Sequence, residues 1–294
     1  MAVISFQSLT AGQGRATFRA ETRLVVLHAT VKNAGGAEIT HLDESAFTVY
    51  ENGKRQPIAV FRRDDIPVSL GLLIDNSGSM RTLRGRVEAA ALAFVHASNP
   101  LDEVFVLNFA DKPRIDVPFT SDGRRLAAGI ARVDSIGGTA LRDAIDLAEA
   151  YAGDHAARDR RVLLVITDGR DNASTTTWRR IEAASEQTDI AVYAIGLFGE
   201  EGSATAKQGR DELDRLTRHT GGAAYYPAAI EQIEPVVTDL ARRIRNQYAI
   251  AYAPTNQALD GTYRRIRVEA RGRESYVVHT RTGYVAARAN ESRP

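Results

Sequence analysis

Five oxygen-bearing side chains in three separate segments could together bind one metal ion. The segment LLIDNSGSM supplies the Asp75 carboxylate and the Ser77 and Ser79 hydroxyls at alternate positions. The segment IGGTAL adds the Thr139 hydroxyl, and ITDGRDN adds the Asp168 carboxylate. Oxygen ligands with few charges suit a hard divalent cation such as Mg²⁺, which keeps several of its waters. The residue types therefore indicate a site for one divalent cation.

Such a site favours binding over a reaction. Two carboxylates and three hydroxyls leave a coordination position open, above all if Asp168 acts through a water molecule. The ion then stays electrophilic and can accept an outside carboxylate as its last ligand. We therefore predict that the chain binds an outside carboxylate and has no enzymatic activity.

The elements that must position these side chains are those of an α/β sheet. Apolar strands alternate with one-faced helices from residue 68 onward, which predicts a parallel sheet covered on both faces. The predicted strands are 68–75, 103–110, 161–167, 190–198 and 223–226, with 115–119 as an antiparallel edge strand. The predicted helices begin near residues 83 and 141 and also occupy 124–133, 178–187, 212–219 and 230–245. Ligands of open α/β sheets bind at the carboxyl ends of the strands, where the three segments are expected to meet.

Strand-rich segments flank the α/β region on both sides. Residues 24–61 contain β-prone runs with a hairpin signal at Asn52-Gly53, and three further runs follow residue 247. Two or three strands alone bury too little apolar surface, so the flanks should pair into one small all-β, sandwich-like domain into which the α/β domain is inserted. The predicted boundaries are a disordered tail at 1–20, the first β part at 21–66, the α/β domain at 67–246, the second β part at 247–286 and a disordered tail at 287–294.

Composition narrows the class of function. The 38 Lys and Arg against 37 Asp and Glu give a net charge of +1, so no overall field draws the chain to nucleic acid. The arginines between residues 264 and 273 lie on a strand whose alternation puts most of them in solvent, which also argues against nucleic-acid binding. The absence of Cys excludes disulfides, thiolate zinc sites and cysteine nucleophiles. No stretch approaches the length of a membrane span.

The three motifs resemble those of the von Willebrand factor A family. The D-x-S-x-S at 75–79, the Gly-Gly-Thr at 137–139 and the Thr-Asp-Gly at 167–169 match, in order, its metal-ion-dependent adhesion site, and the resemblance covers roughly 68–245. It implies a doubly wound, Rossmann-like sheet, one Mg²⁺, Mn²⁺ or Ca²⁺ ion, and a protein ligand that donates Asp or Glu. The metal-site residues that it implies are Asp75, Ser77, Ser79, Thr139 and Asp168.

The flanks resemble those of bacterial von Willebrand factor A-related proteins that are abundant among Acidobacteria. The segments DESAFTVYENGKRQPI and YRRIRVEARGRESYVVHTRTGY carry this likeness. It implies a secreted or periplasmic protein, whereas residues 1–20 lack the apolar core of a signal peptide. A leader outside this sequence and a cytoplasmic location both stay open. Family members couple metal coordination to movement of the last helix, which here is 230–245.

Two other interpretations of the same residues are possible. Ser77, Ser79 and Thr139 would also suit helix N-caps. Asp143 and Asp171 fit either as acceptors that orient a ligand or as solvated charges, so they are not counted as ligands.

The alternative function is a Mg²⁺-dependent phosphatase or phosphotransferase of the haloacid dehalogenase type, with Asp75 as the nucleophile. Its general acid would occupy position 77, where the hydroxyl of Ser77 cannot shuttle a proton near neutral pH.

Overall fold

The computed structural model describes residues 24–63, 65–132, 136–168, 171–198, 204–272 and 274–286, so both predicted tails lie outside the described residues. The strands are β1 (Val25–Asn33), β2 (Phe47–Glu51), β3 (Lys54–Gln56), β4 (Ile58–Arg62), β5 (Val68–Asp75), β6 (Glu103–Phe109), β7 (Pro113–Thr120), β8 (Arg160–Thr167), β9 (Ala191–Gly196), β10 (Ala224–Tyr225), β11 (Tyr248–Tyr252), β12 (Tyr263–Ala270), β13 (Tyr276–His279) and β14 (Gly283–Val285). The helices are α1 (Arg84–Ala97), α2 (Gly123–Ile130), α3 (Leu141–His155), α4 (Trp178–Ser185), α5 (Ala204–Thr220) and α6 (Ile233–Arg245). None of the described helices is long and apolar enough to cross a membrane.

A six-stranded sheet forms the centre of the α/β region, in the order β10-β9-β8-β5-β6-β7. β5 is buried along its whole length and pairs in parallel with β6 and β8, as its mostly apolar sequence predicts. Only β7 runs antiparallel, at the edge, which confirms the prediction for 115–119. One face packs against α1, α2 and α6, and the other against α3, α4 and α5. The sheet is therefore doubly wound, as predicted.

The flanking segments form two four-stranded antiparallel sheets, in the orders β13-β1-β11-β4 and β14-β12-β2-β3. Strands from before and after the α/β region are neighbours in both, since β1 pairs with β11 and β2 with β12. Their facing sides share one core, which includes Leu27, Val49, Tyr248, Ile250 and Val268. The predicted all-β sandwich with an inserted α/β layer is therefore present, while the domain boundaries stay predictions.

Three elements differ from the sequence prediction. The run after residue 275 was predicted as one strand but divides into β13 and β14, which belong to different sheets. At Gly283 the backbone approaches β12 so closely that a Cβ atom would lie 2.4 Å from the carbonyl oxygen of Arg264. The helix predicted at 212–219 is longer, as α5, and the predicted start of the last helix at Ile230 is a 3-10 turn that precedes α6. Pro235 then falls in the first turn of α6, where its missing N–H costs no hydrogen bond.

A buried polar network joins the sandwich to the α/β layer. Arg160, at the start of β8, donates to the side-chain oxygen of Gln247, directly before β11. The amide nitrogen of Gln247 donates to the hydroxyls of Thr30 on β1 and Tyr193 on β9, each at 2.8 Å. Because unpaired polar atoms are costly when buried, this network favours one fixed arrangement of the two layers.

His28 on β1 makes the stability of this junction sensitive to acid. Burial, with the positive charges of Arg160 and Arg281, lowers its pKa from 6.5 to about 3. The unfolded chain therefore binds a proton at His28 first as the pH falls, so this residue's contribution is complete above pH 6.5 and is lost progressively towards pH 3.

We expect His28→Gln to remove this part of the acid sensitivity. At about 1.4 kcal/mol per pKa unit, the unchanged protein should lose about 2 kcal/mol more between pH 7 and pH 5 than the variant does. Urea unfolding of both proteins at the two pH values measures the difference. Equal losses would show that His28 does not titrate in this way.

Candidate metal site

The three predicted segments meet at the carboxyl ends of the central strands. The N–H of Gly78, after β5, donates to the carbonyl oxygen of Gly137, before α3, at 3.2 Å. The N–H of Thr139 donates to the side-chain oxygen of Asn172, after β8, at 2.8 Å. The N–H of Asn172 donates back to the carbonyl oxygen of Thr139 at 3.0 Å. These bonds hold the three segments together as one site.

Four of the five predicted ligands share a chain of hydrogen bonds. The Ser77 N–H donates to Asp75 Oδ1 at 2.8 Å, and the Ser77 and Ser79 hydroxyl oxygens lie 3.1 Å apart. Ser79 Oγ donates to Asp168 Oδ1 at 2.8 Å. Thr139 is buried in the adjoining loop and is joined to the other segments through its backbone. The structure therefore brings the residues from all three motifs to one place.

The two carboxylates lie in an environment that disfavours negative charge. Burial raises the pKa of Asp75 to about 6, and the negative charge of Asp168 adds to this, although hydrogen bonds from Thr167 and Ser77 oppose it. Burial also raises the pKa of Asp168. Among the described residues, neither carboxylate forms a salt bridge with a Lys or Arg side chain. A cation between them would supply the missing compensation.

The donor set fits a hard divalent ion. Hydroxyl and carboxylate oxygens are the ligands that Mg²⁺ and Mn²⁺ accept, and Ser79 is exposed, so the site is open to solvent. In the part of the chain that the structure describes, no three or more His, Cys, Asp or Glu residues are grouped so that they could hold a metal. The candidate site therefore depends on the serine and threonine hydroxyls as much as on its two carboxylates.

Helix capping does not account for the hydroxyl residues. Ser77 precedes the 3-10 turn Gly78–Thr82, but its side chain forms no capping hydrogen bond. The N-cap of α3 is Ala140 and not Thr139. Ser79 lies inside the turn and directs its hydroxyl to Asp168. The hydroxyls are thus available for another role.

Asp143 and Asp171 brace the loop that follows β8. Asp171 accepts from the Arg142 N–H at 2.7 Å and forms a salt bridge with the Arg142 guanidinium at 3.1 Å. Asp143 accepts from the N–H groups of Thr175 and Thr176 at 3.1 and 2.8 Å. Both residues connect this loop to the first turn of α3, so they help to hold the loops of the candidate site in place.

Asp111 and Asn172 also shape the site, and neither was predicted from the sequence. Asp111 Oδ1 accepts from the Gly138 N–H at 2.6 Å. Gly137, at a φ of 90°, leaves room for this carboxylate, since a Cβ atom there would lie 2.2 Å from Asp111 Oδ2. A signal was present, because Asp111 lies two residues after the end of β6, at the same edge of the sheet as the predicted ligands.

The comparisons with known proteins agree with this architecture. Residues 70–170 match the family model described as von Willebrand factor type A domain, so the central α/β region is similar to that domain. The solved structure of a von Willebrand factor type A protein from Catenulispora acidiphila is similar at a TM-score of 0.55 and 12% identity, over 93% of this chain and 76% of that one. A mutant of the PilB minor pilin from Streptococcus sanguinis is similar at 0.50 and 13% identity, over 63% of each chain. No curated protein matches.

Proposed function

We propose that this chain is a metal-dependent protein-interaction module. One Mg²⁺ or Mn²⁺ ion would be held by Asp75, Ser77, Ser79, Thr139 and Asp168, and would take a partner's Asp or Glu carboxylate as its last ligand. The observation that carries the proposal is the hydrogen-bonded chain from Ser77 through Ser79 to Asp168, beside the buried Asp75. Coordination of the partner is the chemistry that the bound ion would supply.

Each residue has a distinct part in this proposal. Asp75 and Asp168 would balance the two charges of the ion, and Ser77 and Ser79 offer neutral oxygens that are already 3.1 Å apart. The site would therefore attract the partner through an open coordination position on the ion and not through a net positive charge. The backbone bonds of Thr139 to Asn172 fix the loop that presents its hydroxyl.

Binding without catalysis also agrees with the surroundings of Asp75. Its side chain is fully buried, and its two oxygens accept hydrogen bonds from the Ser77 N–H at 2.8 Å and the Thr167 hydroxyl at 2.6 Å. The phosphatase alternative would also need a general acid at position 77, where the hydroxyl of Ser77 cannot shuttle a proton near neutral pH. We therefore expect no turnover of an aryl phosphate in Mg²⁺, and turnover that disappears in Asp75→Asn would establish the phosphatase alternative instead.

An exported location is part of the same proposal. The flanking β segments resemble those of secreted or periplasmic proteins, and the fold is shared with a minor pilin. Detection of the native protein in the periplasmic or extracellular fraction would support export, and its recovery only with cytoplasmic markers would contradict it.

Selection from a displayed peptide library tests the proposed partner chemistry directly. Peptides are captured on the immobilised protein in Mg²⁺ and eluted with EDTA. We expect the selected peptides to share an Asp or Glu and to lose binding when that residue becomes Asn or Gln. Selection of peptides that bind equally well in EDTA, or that contain no essential acid, would contradict the proposal.

Thr139→Val separates metal binding from partner binding. If Thr139 joins the ion when a partner binds, this near-isosteric change should leave the affinity for Mg²⁺ alone within a few-fold. Capture of a selected peptide should fall by roughly tenfold or more, a size typical of losses around metal sites. Calorimetry with Mg²⁺ and peptide-binding curves measure the two effects. An equal loss of Mg²⁺ affinity and of peptide capture would show that Thr139 already binds the ion before a partner arrives.

A further inference from the structure

A cavity lies between the β-sandwich and the α/β layer, away from the candidate metal site. It has a volume of about 480 Å³, within the range of small-molecule sites. Its walls come from the start of β1, the start of β8, the segment between α4 and β9, the loop after β11, and β14. Arg281, two residues before β14, also lines it. Such junctions between layers and domains are common places for ligand binding.

The mouth of this cavity gathers exposed apolar side chains. Leu24, Val26 and Leu259 line it and are 44%, 41% and 40% exposed. They are three of the seven exposed large hydrophobic residues in the described part of the chain. An apolar ligand body in the cavity would cover surface that otherwise contacts water, which is favourable.

Arg281 gives the same cavity a positive charge. Its Nε donates to the Gly283 carbonyl oxygen at 2.9 Å, and its guanidinium lies 5.8 Å from the ring centre of Tyr284. Its terminal nitrogens form no hydrogen bond or ion pair within the described residues, and they are not among the fully enclosed polar atoms. Burial lowers the pKa of Arg281, and the negative charge of Asp189 opposes this effect only in part.

The acidic residues at the cavity have other partners. Asp189 accepts from the Arg161 guanidinium at 3.4 Å, and Glu186 lies 3.5 Å from the imidazole of His219. Asp189 also attracts the Arg281 guanidinium, but it forms no hydrogen bond or ion pair with it within the described residues, so the terminal nitrogens of Arg281 stay open to a ligand. An anion there would gain charge-assisted hydrogen bonds, which carboxylates form with arginine in a two-pronged geometry.

We propose that this cavity binds a small monocarboxylic acid with an aliphatic chain. The carboxylate pairs with Arg281, and the chain runs along Leu24, Val26 and Leu259. This site is independent of the metal site, so it requires neither Mg²⁺ nor Asp75.

Calorimetry with three eight-carbon probes tests this inference. Octanoate, octanol and octylammonium share the chain and differ in the head group. All titrations contain EDTA and are repeated on Asp75→Asn, so that a carboxylate bound to a metal ion cannot contribute. We expect saturable binding of octanoate at a single site, with affinity at least roughly tenfold above that of octanol, and no binding of octylammonium.

Two variants and a control locate the site. Arg281→Gln should weaken octanoate binding by roughly tenfold or more while leaving octanol unchanged. Leu259→Glu, at an exposed position, should weaken octanoate too, because it places a like charge at the mouth. The control is Arg265→Gln, at an exposed position on β12, which should leave octanoate binding unchanged. Equal binding of octanoate and octanol, unchanged affinity in both cavity variants, or no binding at all would overturn the proposal.

Discussion

Asp75→Asn is expected to weaken Mg²⁺ binding by at least about 100-fold and to abolish the rise in melting temperature that Mg²⁺ causes. Changes around metal ligands commonly cost 10- to 100-fold, and this substitution removes one of only two carboxylates in the candidate site. Asn preserves the size of the side chain, and one of its atoms can still accept from the Thr167 hydroxyl or the Ser77 N–H, as Asp75 does. The effect should therefore come from the lost charge.

Thermal unfolding with and without Mg²⁺, together with calorimetry, measures this change. A ligand that binds only the folded state raises the melting temperature, so the shift reports on binding at the site. Asp146→Asn is the matched control, since Asp146 pairs with Arg180 on the outer side of α3 and α4. An undiminished Mg²⁺ shift in Asp75→Asn, or an equal loss in Asp146→Asn, would contradict the assignment.

Tyr248→Ala should lower the free energy of unfolding by about 4 kcal/mol, as expected for truncation of a large buried aromatic side chain. Its ring is fully buried, 4.9 Å from the ring centre of Phe47 and 5.8 Å from that of Phe61. Its hydroxyl accepts from the Leu42 N–H at 3.0 Å and donates to the Ile39 carbonyl oxygen at 2.8 Å. It thus joins the segment after the α/β layer to the segment before it.

Urea unfolding measures this loss, and two further variants divide it. Tyr248→Phe keeps the ring and should lose only about 1 kcal/mol, the value of one or two hydrogen bonds. Tyr263→Ala, at a side chain that is 37% exposed, should change stability by about 0.5 kcal/mol or less. A loss below about 1 kcal/mol for Tyr248→Ala would show that the two flanks do not share a core.

The central sheet could be predicted because its signals are local in sequence. β5 has the predicted bounds Val68–Asp75, since a mostly apolar run closed by polar residues is typical of a buried parallel strand. The convergence of Asp75, Thr139 and Asp168 follows from the same reasoning, because the carboxyl ends of parallel strands meet at one edge. Those features depend on periodicity, which the sequence displays directly.

Other features depend on contacts between distant residues and were not predicted. The bond of Asp111 to Gly138 requires knowing that β6 lies beside β5, and the network around Gln247 requires the arrangement of the sandwich against the sheet. The division into β13 and β14 places Gly283 against the backbone of β12, at a distance where a side chain would not fit. Pairing geometry over long sequence separations decides all three.

A Mn²⁺-soaked crystal, measured with anomalous diffraction, tests the central claim most directly. Mn²⁺ prefers the same oxygen ligands as Mg²⁺ and scatters anomalously, so its position can be observed without bias from the sequence. The account predicts one strong peak within about 2.0–2.5 Å of oxygen ligands from the three loops. These ligands should come from Asp75, Ser77, Ser79, Thr139 and Asp168, directly or through water. No peak between these loops at saturating Mn²⁺, or a strong peak elsewhere alone, would contradict it.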